Sequence, residues 1–180
     1  MVEQGPRDSD RGELQYDNEF WRFSLAVYEP SEVANECLAL QEALGLDVNI
    51  LLFCAWLGNR SIALSRSDIE AASRIVARWH DSVVRPLRSV RRQIKTDYGD
   101  EFANLRARVK EIELEAEQIE QAMLFAFAKD IQRSRAGTDQ RDVIARNVNE
   151  YIAMMSRDVP PKSSQPTVPF LVRAAQRLKS

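Results

Sequence analysis

The chain has 180 residues, 44% of them hydrophobic, which is enough to fill one core of ordinary domain size. Its 25 basic and 27 acidic residues nearly cancel, and an isoelectric point of about 5.6 excludes an overall field that would draw nucleic acid or anionic lipid. Two cysteines set among apolar neighbours exclude a disulfide scaffold, and a single histidine cannot complete the usual histidine and cysteine zinc sets.

Residues 1–17 are polar and alternately charged, a composition that buries too little to order itself, and they are expected to form a flexible tail. No basic segment followed by an apolar run opens the chain, so the expectation is a cytoplasmic protein without a signal peptide. A helical domain is expected over 18–158. Phe20, Trp21, Phe23, Leu25, Val27 and Tyr28 mark its first helix, which Glu29-Pro30 ends. Ser31 then caps a second helix, with Val33, Cys37, Leu40 and Leu44 at three- and four-residue spacing up to Gly45.

The next stretch, Asp47 to Gly58, is apolar on every side, and a helix without a polar face has to be buried. Asp47 is placed to cap its start and Gly58 to take a left-handed turn past its end. A membrane span needs about 20 apolar residues, so this shorter helix is predicted to be the central element of a core.

Ser67 and Glu70 have the spacing of a capping box, and Ile69, Ala72, Val76, Trp79 and Val83 extend from it to Leu87, Val90 and Ile94, which predicts one long helix kinked near Pro86. After a break at residues 96–100, Phe102, Leu105, Val109, Ile112, Ala116, Ile119, Met123 and Ala126 alternate in threes and fours, the pattern of a helix packed lengthwise on an antiparallel neighbour. Residues 66–95 hold eight basic and three acidic side chains, whereas residues 100–120 hold seven acidic and three basic, so the two arms would neutralise each other. Asp139 or Asp142 is expected to begin a helix running to Met155, followed by a linker over 159–168 and a C-terminal amphipathic helix over 169–180. That last helix can dock on a partner, on a membrane surface or back on its own domain. The fold class is therefore all-α: a single-domain helical bundle with a central buried helix and a long antiparallel helical hairpin.

Catalytic constellations are scarce. There is no glycine-rich phosphate loop and no G-x-S-x-G, and no residue is nominated as catalytic. No cofactor and no metal are expected. His80, off the apolar seam between Trp79 and Asp81, is expected to be a solvent-facing or hydrogen-bonded surface histidine rather than a general base. Arg78, Arg85, Arg88, Arg92 and Lys95 form a basic stripe with Arg91 beside them, an interaction surface that either meets phosphates or pairs with the glutamates of the following helix. Gln41 and Asn49 are polar residues on apolar helices; with Trp21, Tyr28, Phe53 and Trp56 they outline a ligand pocket, or they satisfy each other and nearby backbone.

The order Phe20-Trp21-x-Phe23-Ser24, Tyr28, Cys37-Leu38-x-Leu40-Gln41, Gly45, Asp47-Val48-Asn49-x-Leu51-Leu52-Phe53-Cys54-x-Trp56-Leu57-Gly58 resembles a family of small bacterial, proteobacterial helical proteins known only as a domain of unknown function. The resemblance spans about residues 20–155 and implies a bacterial cytoplasmic helical protein; it lends no catalytic residue. The leading functional expectation is a non-enzymatic adaptor or assembly factor with a protein partner, or a homodimer joined through the Phe102 to Ala126 seam or the Phe125 and Phe127 pair. The alternative is a pocket for a small molecule or lipid, with chemistry left open. Nucleic-acid binding through the arginine stripe is the least favoured of the three.

Overall fold

The computed structural model describes residues 14–131, 140–157 and 167–178; the expected tail up to residue 13, most of the linker and the start signal at Asp139 lie outside the described residues. Every regular element among them is a helix. In α1 (Glu19–Tyr28) the side-chain oxygen of Asn18 accepts from the Trp21 amide, which satisfies a free donor of the first turn, and Phe20, Phe23 and Val27 turn inward. The next helix, α2 (Ser31–Leu44), stops at Gly45, whose φ of 65° is the left-handed conformation glycine adopts without strain, and the Gly45 amide donates to the Gln41 carbonyl.

The predicted central helix is α3 (Val48–Asn59), buried at every position from Asn49 to Asn59 and capped at its start by Asp47. Gly58 plays another part than expected. It lies inside the helix, and a Cβ there would come 2.6 Å from Ile144 Cα, so glycine is required because α7 (Gln140–Met155) crosses at that point. The left-handed residue past the helix is Ser61, with a φ of 58°. Nearby, Asn147 of α7 pins the loop, accepting from the Leu64 amide and donating to the Cys54 and Ile62 carbonyls.

The capping box falls two residues earlier than its sequence signal. Ser65 caps α4 (Arg66–Trp79) and Asp68 reciprocates, with its carboxylate accepting from the Ser65 amide. Between α4 and α5 (Arg85–Tyr98) lies a single π turn, His80–Val84, in which the Arg85 amide donates to the His80 carbonyl five residues back. Pro86 accounts for it: proline has no amide to offer the carbonyl four residues earlier, and a wider turn absorbs the misfit without a break.

The long helix α6 (Ala103–Ala128) runs antiparallel to this arm, as the pairings of Trp79 with Ala116 and Arg88 with Glu113 require. Its inward face differs from the expected seam. Phe102, Leu105 and Ile112 are exposed, whereas Glu113, Ala116, Glu120, Gln121, Ala122 and Leu124 are buried, because the first half of α6 meets α5 through ion pairs rather than an apolar stripe. The last described helix, α8 (Pro169–Arg177), docks on its own chain: Leu171 and Ala175 join the core, the Glu36 carboxylate accepts from the Phe170 and Leu171 amides, and Asn59 donates to the Ala175 and Leu178 carbonyls. The chain is a single-domain helical bundle with one core.

Candidate functional site

Four separate elements bring polar side chains to one point beneath that core. Asp47 arrives because it caps α3, and its Oδ1 accepts from the Asn49 amide at 2.8 Å. His80 arrives because the π turn begins there, while the neighbouring Trp79 ring nitrogen donates to the Ala116 carbonyl at 2.9 Å and clamps the arm to α6. Glu120 comes from the middle of α6 and is fully buried. Tyr151, on α7, accepts from the Asp47 amide through its hydroxyl at 2.9 Å.

The contacts are divided between two sides. Asn49 holds one oxygen of each carboxylate, Asp47 Oδ1 through its amide and Glu120 Oε2 through Nδ2 at 3.2 Å. The other two oxygens, Asp47 Oδ2 and Glu120 Oε1, both lie 3.1 Å from His80 Nδ1. One ring nitrogen carries at most one hydrogen, and here it is directed at Glu120, so Asp47 Oδ2 has no directed hydrogen bond although it is buried. Gln121 continues the network outward, donating to Asn49 Oδ1 at 2.8 Å and leaving its own buried Oε1 without a partner.

The electrostatics follow from burial and proximity. Burial works to lower the His80 pKa, but the two carboxylates of Asp47 and Glu120 beside the ring outweigh it and lift it to about 10. Burial pushes Glu120 up to about 8, and the Asp47 charge adds to the effect. Burial acts on Asp47 in the same upward direction, but the neighbouring His80 and Glu120, the charge of His80 and the Asn49 amide together prevail and hold its carboxyl below the ordinary value. Tyr151 is raised well above the ordinary phenol range, first by burial and then by the charge of Asp47, and it keeps its proton.

Two clefts approach this cluster. The first, about 340 Å³, lies between α1, α2, α3, α5 and α6 and has Trp21, Tyr28, Gln41, Asn49, Leu52 and Gln121 on its walls. The second, about 330 Å³, is lined by Gln41, Gly45, His80, Arg85, Arg88 and Arg92. Four residues of the expected pocket, Trp21, Tyr28, Gln41 and Asn49, thus share one cleft. Phe53 and Trp56 do not line it; they stack with Phe20, Phe125 and Phe127 in the core, at centroid distances of 5.2–6.5 Å. Those contacts also occupy the Phe125 and Phe127 pair that the sequence offered to a second copy.

Within the basic stripe, Arg88 binds Glu113 and Glu117, Arg91 binds Glu113, and Arg85 binds Asp81. Arg78, Arg92 and Lys95 are exposed. The stripe's two central cations are therefore used within the hairpin. His80 is hydrogen-bonded, one of the two expected states, but it is not at the surface, since its side chain is only 13% exposed. The sequence signal that could have placed it was Pro86, which forces an irregular turn just ahead of itself and so disturbs the seam by which His80 was judged.

A family model matches residues 19–124, well over half of the chain, and the family carries the description "Protein of unknown function (DUF2390)". Asp47, His80 and Glu120 all fall inside the matched span, and Tyr151 lies outside it. No curated protein and no solved structure matches the chain. No helix among the described residues is long and apolar enough to cross a membrane.

Proposed function

The chain belongs to this family of unknown function, and from that premise we propose that it is a ligand-binding helical protein, taking a small molecule in the cleft between α1, α2, α3, α5 and α6. The supporting observation is the floor of that cleft. Gln121 and Asn49 form a buried amide pair there, and Gln121 Oε1 is a buried acceptor without a hydrogen bond, a state that costs about 1–3 kcal/mol and that a ligand donor would relieve where the floor opens to admit it. Trp21, Leu25, Leu38 and Leu52 supply apolar walls, and Lys110 stands at the rim. The ligand that fits this chemistry has an apolar body, an O–H or N–H donor for Gln121, and an anionic group for Lys110.

Native mass spectrometry of the purified chain, followed by denaturation, is expected to release a small molecule of that kind. Leu38→Arg, at the exposed rim, is expected to weaken its retention by about tenfold, equivalent to roughly 1.4 kcal/mol. A chain that carries nothing, and whose melting temperature does not move with a panel of hydroxylated amphipathic carboxylic acids, overturns this reading.

An adaptor or assembly role with a protein partner, or a homodimer, is the second reading. It is favoured by Phe102, Leu105 and Ile112, which are 40–50% exposed on one side of α6 where the sequence calls for a packed seam. Sedimentation of the wild type and of Leu105→Glu/Ile112→Glu tests it: a dimer or complex that the double variant dissolves supports the role, and a monomer without partners removes it.

A further inference from the structure

The cluster beneath the clefts has the composition and spacing of a metal site, although neither cysteine takes part and only one histidine exists. Its three donors come from positions 47, 80 and 120, and their ligand atoms lie within 4.8 Å of one another. The two distances from His80 Nδ1, 3.1 Å to each carboxylate, match the separation of neighbouring ligands around a cation bound at roughly 2.1 Å, which is about 3.0 Å for a right-angled pair. We propose that Asp47, His80 and Glu120 bind a divalent transition-metal cation of the Mn²⁺, Fe²⁺, Co²⁺ or Zn²⁺ class through Asp47 Oδ2, Glu120 Oε1 and His80 Nδ1.

Three further observations support the assignment. Asp47 Oδ2 is buried and has no hydrogen bond, and it is aimed into the cluster at the same nitrogen as Glu120 Oε1. Asn49 fixes the outer oxygen of each carboxylate, which is the supporting hydrogen bonding that ligating carboxylates have in metal centres. His80 also lines the second cleft, so the site has an entry path and room for solvent or ligand to complete the coordination. A cation bound there would displace the protons of the cluster, and the two carboxylates and neutral imidazole left behind carry two negative charges that one divalent cation balances. The mixed oxygen and nitrogen donor set selects the borderline metals named above over Ca²⁺ or Cu⁺.

The site is independent of the small-molecule reading, because its probe is the metal alone. The test uses the full-length, untagged chain, stripped with chelator and labelled with ¹⁵N in histidine, so that its one imidazole gives an unambiguous signal. One equivalent of Zn²⁺ is expected to shift the Nδ1 resonance and to saturate at one ion per chain, with Mn²⁺ broadening the same signal. Glu120→Gln, nearly isosteric, is expected to weaken zinc binding by about 100-fold with the helical circular dichroism unchanged. Should that variant fail to fold, the titration of the wild type decides by itself. An imidazole signal that stays in place at millimolar zinc, whether or not zinc binds elsewhere, overturns the proposal and leaves the protonated His80 between Asp47 and Glu120 as what balances the cluster.

Discussion

At His80, burial and two carboxylates act in opposite directions, and the carboxylates win; the sign of the pH dependence follows. His80 and Glu120 both have folded-state values above their ordinary 6.5 and 4.5, at about 10 and about 8. Their contribution to stability is fully present below the unfolded values and is lost as pH rises through the folded ones. Asp47, shifted down, contributes in the opposite sense and only on acidification. Urea unfolding of the metal-free chain is thus expected to show stability falling between pH 4.5 and 10, through Glu120 up to about pH 8 and through His80 from pH 6.5, by at most about 1.4 kcal/mol per pH unit for each proton involved, with His80→Gln flattening the upper part of the slope. At Gly58, the opposing group is the backbone of α7, which cannot move aside as a flexible side chain can. Gly58→Ala is expected to lower stability by about 1–3 kcal/mol, read from the urea midpoint, despite the better helix propensity of alanine.

Among elements, the order of helices, the burial of α3 and its Asp47 cap were legible in the sequence, because local hydrophobic pattern and capping chemistry dictate them. What stayed hidden depended on distance in the chain. Asp47 read as a cap, His80 as a lone histidine and Glu120 as one of seven acids set against the basic arm; only the tertiary fold shows that they face one another. The Gly58 packing was hidden for the same reason, since Ile144 lies far along the chain. The π turn falls between these cases. His80 and Arg88 both face α6, yet eight residues in a regular α-helix place two side chains about 80° apart, whereas seven bring them to within about 20°. The turn absorbs the extra residue. Deleting Ser82, which is exposed, is expected to leave His80 and Arg88 seven residues apart and both still facing α6, so their pairings with Glu120, Glu113 and Glu117 survive; a fall in melting temperature of more than a few degrees would show that the turn does more than absorb one residue.

In the whole molecule, the charge segregation between the hairpin arms becomes a set of half-buried pairs rather than a solvated fringe. Arg88 has a side chain only 14% exposed and serves two glutamates. Arg88→Met is expected to destabilise the chain by about 3–5 kcal/mol, since it leaves Glu117 without its partner in a poorly solvated place, and adding Glu117→Met is expected to recover part of that loss in a double-mutant cycle followed by urea unfolding. The polar cluster draws on the whole molecule in another way. Its contacts join residues 40, 71 and 104 positions apart, from the cap of α3, the π turn, α6 and α7. Contacts of such high order close only after long loops have been brought together; the isolated hairpin holds the His80 and Glu120 pair but lacks Asp47, Asn49 and Tyr151, so the whole cluster comes late in folding. A collapsed intermediate with all its helices formed would still lack the cluster. The imidazole of the one histidine is therefore a built-in chronometer of assembly, sensing Glu120 when the hairpin closes and Asp47 only when the central helix joins it.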